Sequence, residues 1–326
     1  MPIQEFFSIA ISNFFKNIRS FFKYNLEKDA VQQNHLHEKI ADLEANLLLA
    51  RKEVVELYFT LNKEEANNYR SELNYIKNTN NIFAFPYKQV KTCNIPKYGF
   101  DAEKKLPFVT HNNKKLFFPS KWTPELACEK YRYYIEKENL LGGGFTEKAP
   151  HQYITDSFHV EQGDIVVDAG CAEALFALDS IEKAKHVYLL EADAIWLKPL
   201  QATFAPYKDK VTIIQKFLSS EDSENTVTLN SLFDRFSKES FFVKMDLEGA
   251  EESVIQASKD FLESQNKIKL ACCTYHKTNH AESISLLLKE FGYNFVFSDG
   301  FMLFLWDQHQ RPPYFRRGLI RAKNVI

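Results

Sequence analysis

The chain has 326 residues, of which 45% are hydrophobic, and its formal net charge is −2. This length is enough for one large domain with an appendage, or for two domains, and the apolar content supports a substantial core. A nearly neutral chain has no excess of positive charge for a polyanion, so nucleic acid is not an expected partner.

The cysteines and the charged residues limit the compartment and the cofactors that we expect. The five cysteines are odd in number and lack metal-ligand spacing, and Cys272-Cys273 suits a strand better than a zinc site. No cluster of histidine and aspartate has clear ligand spacing either, so no metal is predicted. A reduced, cytoplasmic location is the simplest interpretation. No run of about 18 apolar residues occurs, and charges interrupt the N-terminal apolar stretches, so we expect neither a transmembrane helix nor a signal peptide.

Residues 1–80 are predicted to be helical, because they contain no glycine and their only proline is Pro2. Within residues 3–24, phenylalanine pairs and isoleucines fall on one half of a helix, and a partly basic polar face lies opposite. Such a helix can lie in a membrane interface as a peripheral contact. Packing against another helix or subunit is the alternative.

A seven-residue pattern runs through residues 36–61, with alternating steps of four and three residues. This is the a/d spacing of a coiled coil. It predicts either a homo-oligomer formed through this segment or an intramolecular helical hairpin. The apolar positions are Leu36, Ile40, Leu43, Leu47, Ala50, Val54, Leu57 and Leu61.

Residues 81–149 change character and are predicted to form a small accessory segment. Repeated prolines interrupt helices here, and Phe108-Val109 and Leu116-Phe117-Phe118 are predicted as short strands on either side of a His-Asn-Asn turn. Three consecutive glycines at 142–144 indicate either a flexible connection or a loop that approaches something closely.

Residues 150–310 alternate between strand and helix patterns, which predicts a mainly parallel α/β sheet. Ser298-Asp299-Gly300 lies between the last two predicted strands and suggests that they form an antiparallel hairpin. Residues 311–326 are interpreted as a basic C-terminal tail, either solvated or used for docking. The predicted strands are 164–168, 186–190, 211–215, 241–245, 268–274, 293–297 and 301–305, and the predicted helices are 174–184, 195–205, 249–263 and 280–291.

The first chemistry-bearing motif is Ile165–Cys171, an apolar strand that ends in Asp168-Ala169-Gly170, with Glu191 following 23 residues after Asp168. Open α/β sheets bind ligands at the carboxyl ends of their strands. A single glycine replaces the G-x-G-x-x-G run of dinucleotide-binding proteins. An acid at position 168 would repel a pyrophosphate but attract an ammonium group. S-adenosylmethionine (SAM) carries an ammonium, a sulfonium and a ribose diol, and it matches both acids.

The second motif is Phe241–Glu251, an apolar strand that ends in Asp246, followed by Glu248 and by Gly-Ala-Glu at a predicted helix start. Carboxylates at a helix N-terminus are stabilised by its dipole, so capping is an alternative role for Glu248 and Glu251. Asp246 stands at the strand tip beside the expected ligand, where a functional role is favoured.

These segments resemble the FkbM-type SAM-dependent methyltransferases. The most specific of them is Lys244–Glu251, and further matching pieces are Val166–Gly170, Leu190–Asp193, Phe217–Ser219 and Thr228–Asn230. The resemblance covers about residues 150–306. It implies a Rossmann-like class I methyltransferase sheet, mainly parallel with one antiparallel C-terminal strand, preceded by a long helical region.

The resemblance also implies the roles of several residues and the type of reaction. Asp168 and Gly170 would hold the methionine end of SAM, Glu191 the ribose, and the loop from Ser219 to Asp222 would flank the adenine. The family usually methylates hydroxyl groups, often on sugars or secondary metabolites. Ala174 departs from the pattern, since these enzymes usually have a second glycine there, and Asn230 replaces an aspartate that many of them carry.

An alcohol acceptor needs a base, which contributes about 10²–10⁴-fold to the rate. His276 follows the predicted strand 268–274 and would face the same crevice as Asp246, so these two residues are predicted to orient or deprotonate the hydroxyl, with Glu248 as a third catalytic candidate. His151 is expected to close over the cofactor, and His280 to stand at a helix start.

Two functions follow from the sequence. The first is a SAM-dependent O-methyltransferase acting on a hydroxyl of a sugar or cell-surface glycan. The alternative is a non-catalytic coiled-coil assembly module, in which Ala174 marks a decayed cofactor site.

Overall fold

The computed structural model describes residues 30–79, 83–233, 238–304 and 312–324. The chain divides into two compact units, one built from residues up to 87 together with 301–316, and the other from 88–300 together with 317–326. The aromatic segment 3–24, with its predicted membrane or subunit contact, lies outside the described residues.

The helices are, in chain order, α1 (Ala30–Leu61), α2 (Lys63–Ala66), α3 (Arg70–Lys77), α4 (Pro124–Glu136), α5 (Leu175–Ser180), α6 (Ala194–Phe204), α7 (Leu229–Leu232), α8 (Glu251–Ala257), α9 (Lys259–Leu262) and α10 (His280–Glu290). The strands are β1 (Tyr98–Asp101), β2 (Leu106–His111), β3 (Lys114–Phe117), β4 (Ile165–Ala169), β5 (His186–Leu190), β6 (Val211–Ile214), β7 (Phe217–Leu218), β8 (Thr226–Val227), β9 (Ser240–Met245), β10 (Lys267–Cys273), β11 (Tyr293–Phe297), β12 (Met302–Leu303), β13 (Phe315–Arg316) and β14 (Leu319–Asn324).

In the first unit, the long helix α1 confirms the helical prediction for residues 36–61. Val55 and Phe59 of α1 pack with Leu73 and Ile76 of α3 and with Phe315 of the β12–β13 pair, forming a small core. Of the described helices, none combines the length and the apolar character needed to span a bilayer.

In the second unit, β1, β2 and β3 form an antiparallel sheet, which confirms the short strands predicted around residues 108 and 117. The helix α4 follows. Thr123 caps it by accepting a hydrogen bond from the backbone nitrogen of Leu126, and Pro124 occupies its first turn.

The central sheet of the second unit has the order β11-β14-β10-β9-β4-β5-β6. Four pairs of adjacent strands are parallel: β10 with β9, β9 with β4, β4 with β5, and β5 with β6. The strand β14 runs antiparallel to both of its neighbours, β10 and β11. The predicted mainly parallel sheet with one antiparallel C-terminal strand is therefore confirmed. Both faces of the sheet are covered. Val166 and Val167 are consecutive in β4, so their side chains point to opposite faces of the sheet, and both are fully buried, each in a different apolar cluster.

The hairpin predicted between 293–297 and 301–305 is wrong. The strand β11 pairs with β14, and the residues that follow the Ser-Asp-Gly turn form β12, which pairs with β13 in the other unit. The Ser-Asp-Gly sequence predicts a turn at that point but does not determine which strand pairs with β11. In the structure, five consecutive residues of β14 pair with the five residues of β11.

The basic tail predicted at 311–326 is wrong for its second half, which forms the strand β14. Leu319, Ile320 and Ala322 are fully buried. Arg321 is also buried, and its Nε and Nη2 donate hydrogen bonds to the carbonyl oxygen of Gln152. Burial lowers the pKa of Arg321 to about 10. Charge counting missed the strand because the apolar residues between the arginines form its buried surface.

Candidate active site

The turn after β4 is held against the end of β9 by Gly170. Gly170 has a φ of +67°, and a Cβ atom there would clash with the carbonyl oxygen of Asp246. The backbone nitrogen of Asp246 also donates a hydrogen bond to the carbonyl oxygen of Ala169, at 3.1 Å. The two predicted motifs therefore meet at one place, as expected for neighbouring parallel strands.

Glu191 follows β5 and reaches the same turn. Its Oε2 accepts a hydrogen bond from the backbone nitrogen of Ala172 at 2.9 Å, and its Oε1 accepts one from that of Asp193 at 2.8 Å. The residue is partly exposed. A carboxylate oxygen has more than one acceptor site, so these contacts orient Glu191 while leaving capacity for a hydroxyl donor.

Asp168 lies inside the sheet and forms an ion pair with Lys244. Only 1% of Asp168 is exposed, and its Oδ1 lies 3.1 Å from Nζ of Lys244. The same Nζ donates a hydrogen bond to the carbonyl oxygen of Gly170 at 2.7 Å. Burial alone would lower the pKa of Lys244, but the carboxylates of Asp168 and Asp246 outweigh it and raise this pKa. Asp168 thus fixes a lysine against the turn, and its predicted contact with the methionine end of SAM stays a prediction.

The residues predicted beside the adenine lie around β7 and β8. The backbone nitrogen of Ser219 donates to the carbonyl oxygen of Val227. Asp222 accepts hydrogen bonds from Oγ of Ser231 at 2.7 Å and from the backbone nitrogen of Thr228 at 2.9 Å, and these bonds lower its pKa. These contacts stabilise the start of α7, and the adenine role of both residues stays a prediction.

Asp246 lies at the centre of a cluster of tyrosine and histidine side chains. Its Oδ2 accepts a hydrogen bond from the hydroxyl of Tyr153 at 3.1 Å, and its Oδ1 accepts one from that of Tyr275 at 3.2 Å. Nε2 of His151 lies 3.7 Å from Oδ2, and Nε2 of His276 lies 3.4 Å from Oδ1. The side chain of Asp246 is 21% exposed, so part of this carboxylate is accessible.

Each histidine of the cluster has a glutamate on its other ring nitrogen. Nδ1 of His151 lies 2.8 Å from Oε2 of Glu138, and Nδ1 of His276 lies 2.7 Å from Oε1 of the fully buried Glu251. A carboxylate at Nδ1 fixes the ring orientation and favours a proton on that nitrogen. Both Nε2 atoms are thereby directed towards Asp246.

The opposite charges of the cluster stabilise the ionised form of Asp246 and the protonated form of His276. Burial would raise the pKa of Asp246, but Lys244, His151 and His276 outweigh it, and the pKa is lowered. Burial would lower the pKa of His276, but the contact with Glu251 and the charge of Asp246 outweigh it, and this pKa is raised. Asp246 is therefore ionised near neutral pH, and His276 retains its proton to a higher pH than an ordinary histidine.

The other sequence candidates lie at the edge of this cluster. The side chain of Glu248 is 92% exposed, and its Oε2 lies 3.6 Å from Nε2 of His276. His280 begins α10, as predicted, and is fully buried, with Nδ1 3.6 Å from Oε2 of Glu251. Two groups of potential metal-ligand atoms share Asp246, one with His151 and Cys273 and the other with Glu251 and His276, and the atoms of each group lie within 4.8 Å of one another.

Sequence reasoning missed Glu138, Tyr153, Lys244 and Tyr275 as site residues. A lysine inside an otherwise apolar strand was a usable signal for Lys244, and Tyr275 precedes a predicted base. Glu138 and Tyr153 carry no local signal, because they join the cluster only through tertiary packing.

Several known proteins are similar to this chain. The Methyltransferase FkbM domain matches residues 119–295, which include every residue of the Asp246 cluster. Among curated proteins, no sequence is significantly similar to the chain. A solved structure of a methyltransferase FkbM from Methylobacillus flagellatus is 19% identical, covers 60% of this chain and 51% of its own, and gives a TM-score of 0.40.

Two further solved structures show a comparable likeness. A putative RNA methyltransferase from Pyrococcus horikoshii is 13% identical over 50% of this chain and 74% of its own, with a TM-score of 0.33. A putative rRNA methylase from Clostridium thermocellum is 15% identical over 52% of this chain and 91% of its own, with a TM-score of 0.35. The chain spans about half the length of the FkbM structure that it matches. The domain match extends over more than half of the sequence, and the chain belongs to the FkbM methyltransferase family.

Proposed function

We propose that this protein is a SAM-dependent O-methyltransferase whose acceptor hydroxyl binds beside Asp246. The observation that supports this most directly is the close approach of Gly170 to the backbone of Asp246. A cofactor held by the β4 turn would lie next to Asp246, a partly exposed carboxylate in a cluster that also contains two histidines.

The residues of the β4–β5 region fit the cofactor. The Gly170 turn gives the backbone close access, and the partly exposed Glu191 would accept hydrogen bonds from ribose hydroxyls. Asp168 would hold Lys244 in place against the Gly170 turn, on the side of the expected methionine end. When bound, SAM supplies an electrophilic methyl group on a positively charged sulfur.

The chain's own part in the reaction is to orient the hydroxyl and to remove its proton. The ionised Asp246 would accept a hydrogen bond from the hydroxyl and direct its oxygen, since alignment alone accounts for effective molarities of about 10⁵–10⁸ M. The hydroxyl has a single proton, which it directs at Asp246, so one of the two glutamate-backed histidines would take that proton by way of the Asp246 carboxylate. The raised pKa of His276 makes that residue a poor proton acceptor near neutral pH, and the other candidate is His151, whose Nδ1 is held by Glu138. Glu248, exposed at the rim, would tune the charge of His276.

We extend the proposal to a sugar or cell-surface glycan as the acceptor, supported by membership of a family that often methylates such hydroxyls. A cytoplasmic location, with the segment 3–24 as a peripheral membrane contact, completes the proposal. The five cysteines, none of which forms a disulfide, support a reducing compartment. Co-sedimentation of the full chain with anionic vesicles, compared with a variant lacking residues 3–24, tests the membrane contact.

Isothermal titration with SAM tests the proposed function. The intact protein is expected to bind SAM, and Glu191→Ala to bind it at least ~10-fold more weakly, since it removes a charged hydrogen-bond acceptor. Glu103→Ala, an exposed acid in the β1–β2 turn, is the matched control and should bind like the wild type. If the intact protein and Glu191→Ala were equally inert, the proposal would fail. Release of S-adenosylhomocysteine across a panel of glycosides and simple alcohols then identifies the acceptor class.

The alternative, a non-catalytic assembly module with a decayed cofactor site, is favoured by one observation. Ala174 adopts a left-handed conformation with a φ of +59° at the start of α5, where its family usually has a glycine. Glycine adopts this conformation without the strain that a Cβ introduces. SAM binding by Ala174→Gly but not by the wild-type chain would support the alternative.

A further inference from the structure

The helix α1 has two separate apolar faces, and the small core formed by the described residues of its unit includes only one of them. Val55 and Phe59 are 1% and 4% exposed in the core shared with α3. On the same side, Nζ of Lys52 donates a hydrogen bond to the carbonyl oxygen of Thr79. Val54, Leu57 and Leu61, on another side of the helix, are 40%, 59% and 74% exposed.

The exposed residues are the ones that carry the seven-residue pattern. With Leu36 at position d, the a positions are Ile40, Leu47, Val54 and Leu61, and the d positions are Leu36, Leu43, Ala50 and Leu57. Val55 then falls at b and Phe59 at f, on the side of the helix opposite the a/d row. Packing within the described unit therefore explains the b/f face but not the heptad pattern. The a/d residues from Leu36 to Leu47 are partly buried, and those from Ala50 to Leu61 are exposed.

We propose that a second copy of this chain covers the a/d row, forming a parallel two-stranded coiled coil through residues 36–61. In a parallel coiled coil, the branched residues Ile40 and Val54 at a positions, together with leucines at three of the four d positions, favour two strands. A segment of this length extends over about 39 Å of helix, which is long enough for a stable pairing.

The charges beside the row agree with the parallel arrangement. Lys39 occupies a g position, and Glu44 occupies the e position of the following heptad. In a parallel pair, each g position lies next to the following e position of the other helix. Two identical Lys39–Glu44 contacts of opposite charge would therefore form across the symmetric interface. The proposed interface and the Asp246 cluster have no residue in common, so the proposal does not depend on the proposed catalytic function.

Sedimentation velocity of the full chain at micromolar concentration tests the proposal. The wild type is expected at about twice its chain mass of 38.0 kDa. Leu57→Glu places a charge in the row and is expected to weaken the dimer at least ~100-fold, giving the monomer. Leu49→Glu is the matched control: Leu49 is another exposed leucine of α1, at a c position outside the row, and this variant should stay dimeric.

Circular dichroism checks that both variants keep their helix content, so that loss of the dimer is not confused with unfolding. A monomeric wild type, or equal effects of the two substitutions, would overturn the proposal. A monomer that Leu57→Glu makes less stable would instead show that another part of the same chain covers the row.

Cysteine crosslinking tests the parallel direction. Leu57→Cys should form an intermolecular disulfide under mild oxidation, because equivalent d positions face each other in a parallel pair. Leu49→Cys, on a different side of the helix, should not. A dimer that gives no Leu57→Cys crosslink would overturn the parallel arrangement.

Discussion

Gly170 and Asp246 lie in direct backbone contact, so that no side chain fits at Gly170 without displacing the end of β9. This contact joins the turn after β4, where we place the cofactor, to the carboxylate on which two histidines and two tyrosines converge. In the proposed complex, the backbone would therefore set the distance between cofactor and acceptor, and a backbone contact is less adjustable than a side-chain contact.

Gly170→Ala is expected to destabilise the protein by at least ~2 kcal/mol, because an alanine adds left-handed strain and a backbone clash. Gly163→Ala is the matched control. Gly163 also has a positive φ of +89°, but a Cβ atom there meets no atom within 4 Å. Chemical denaturation of both variants measures the difference. Equal losses would show that the chain relieves the clash with Asp246 at little cost.

Lys244→Met is expected to destabilise the protein by ~3–5 kcal/mol, because it leaves Asp168 buried without its ion pair. The double variant Asp168→Asn with Lys244→Met should recover part of this loss, since no uncompensated charge remains. Lys185→Met is the control, because the pair of Lys185 with Glu239 is exposed and contributes only ~0–1 kcal/mol. Denaturant unfolding of the wild type, of Lys244→Met, of Asp168→Asn and of the double variant gives the coupling energy. A double variant as unstable as Lys244→Met alone would contradict this view.

The Glu251–His276 contact predicts a specific pH dependence of stability. The pKa of His276 is raised above its ordinary value of 6.5, so its stabilising contribution is fully present below that pH and is lost as the pH rises through the folded-state pKa. The pKa of Glu251 is lowered, so its contribution is present above 4.5 and is lost as the pH falls through the folded-state pKa.

Glu251→Gln should therefore lower the free energy of unfolding most between these two limits, in mildly acidic buffer, and less at alkaline pH. Unfolding experiments across the pH range, with Glu252→Gln as the control on the same helix, measure the difference. A loss that is independent of pH would mean that Glu251 acts through packing and its hydrogen bond to Leu247 alone.

Asp246→Asn is expected to reduce turnover ~10²–10⁴-fold once an acceptor is identified, while SAM binding changes little. The neutral amide of asparagine lacks the negative charge with which Asp246 interacts with the two histidines and would accept a hydrogen bond from the acceptor hydroxyl. Glu248→Gln should have a smaller effect, because its side chain is 92% exposed. Turnover is measured as S-adenosylhomocysteine release. If turnover fell more in Glu248→Gln than in Asp246→Asn, Glu248 and not Asp246 would be the acid that acts on the hydroxyl.

His151→Gln should slow turnover more than His276→Gln near neutral pH if His151 takes the proton. The pH–rate profile distinguishes the two, because removing the base abolishes the acidic limb that reports its pKa. Equal profiles for the two variants would indicate that neither histidine alone accepts the proton.

The strand–turn motifs were readable from the sequence because their causes are local. Short apolar runs ending in an acid predicted β4, β5 and β9, and the rule that parallel strands present their carboxyl ends at one edge placed Asp168, Glu191 and Asp246 near one another. Neither the partner of Asp168 nor the glutamates behind His151 and His276 could be read in this way. They come from segments far apart in sequence, such as Glu138 in the loop after α4.

The sequence by itself determined the main strands and helices between residues 164 and 297, the family motifs and the heptad of α1, since each depends on periodicity and on residues close together in the chain. Only the tertiary structure decided that β14 enters the sheet beside β10, that Lys244 neutralises Asp168, and that α1 uses its b/f face within its own unit. These outcomes depend on burial and on pairing between distant segments, and the free energy of each is set by partners that no local pattern specifies.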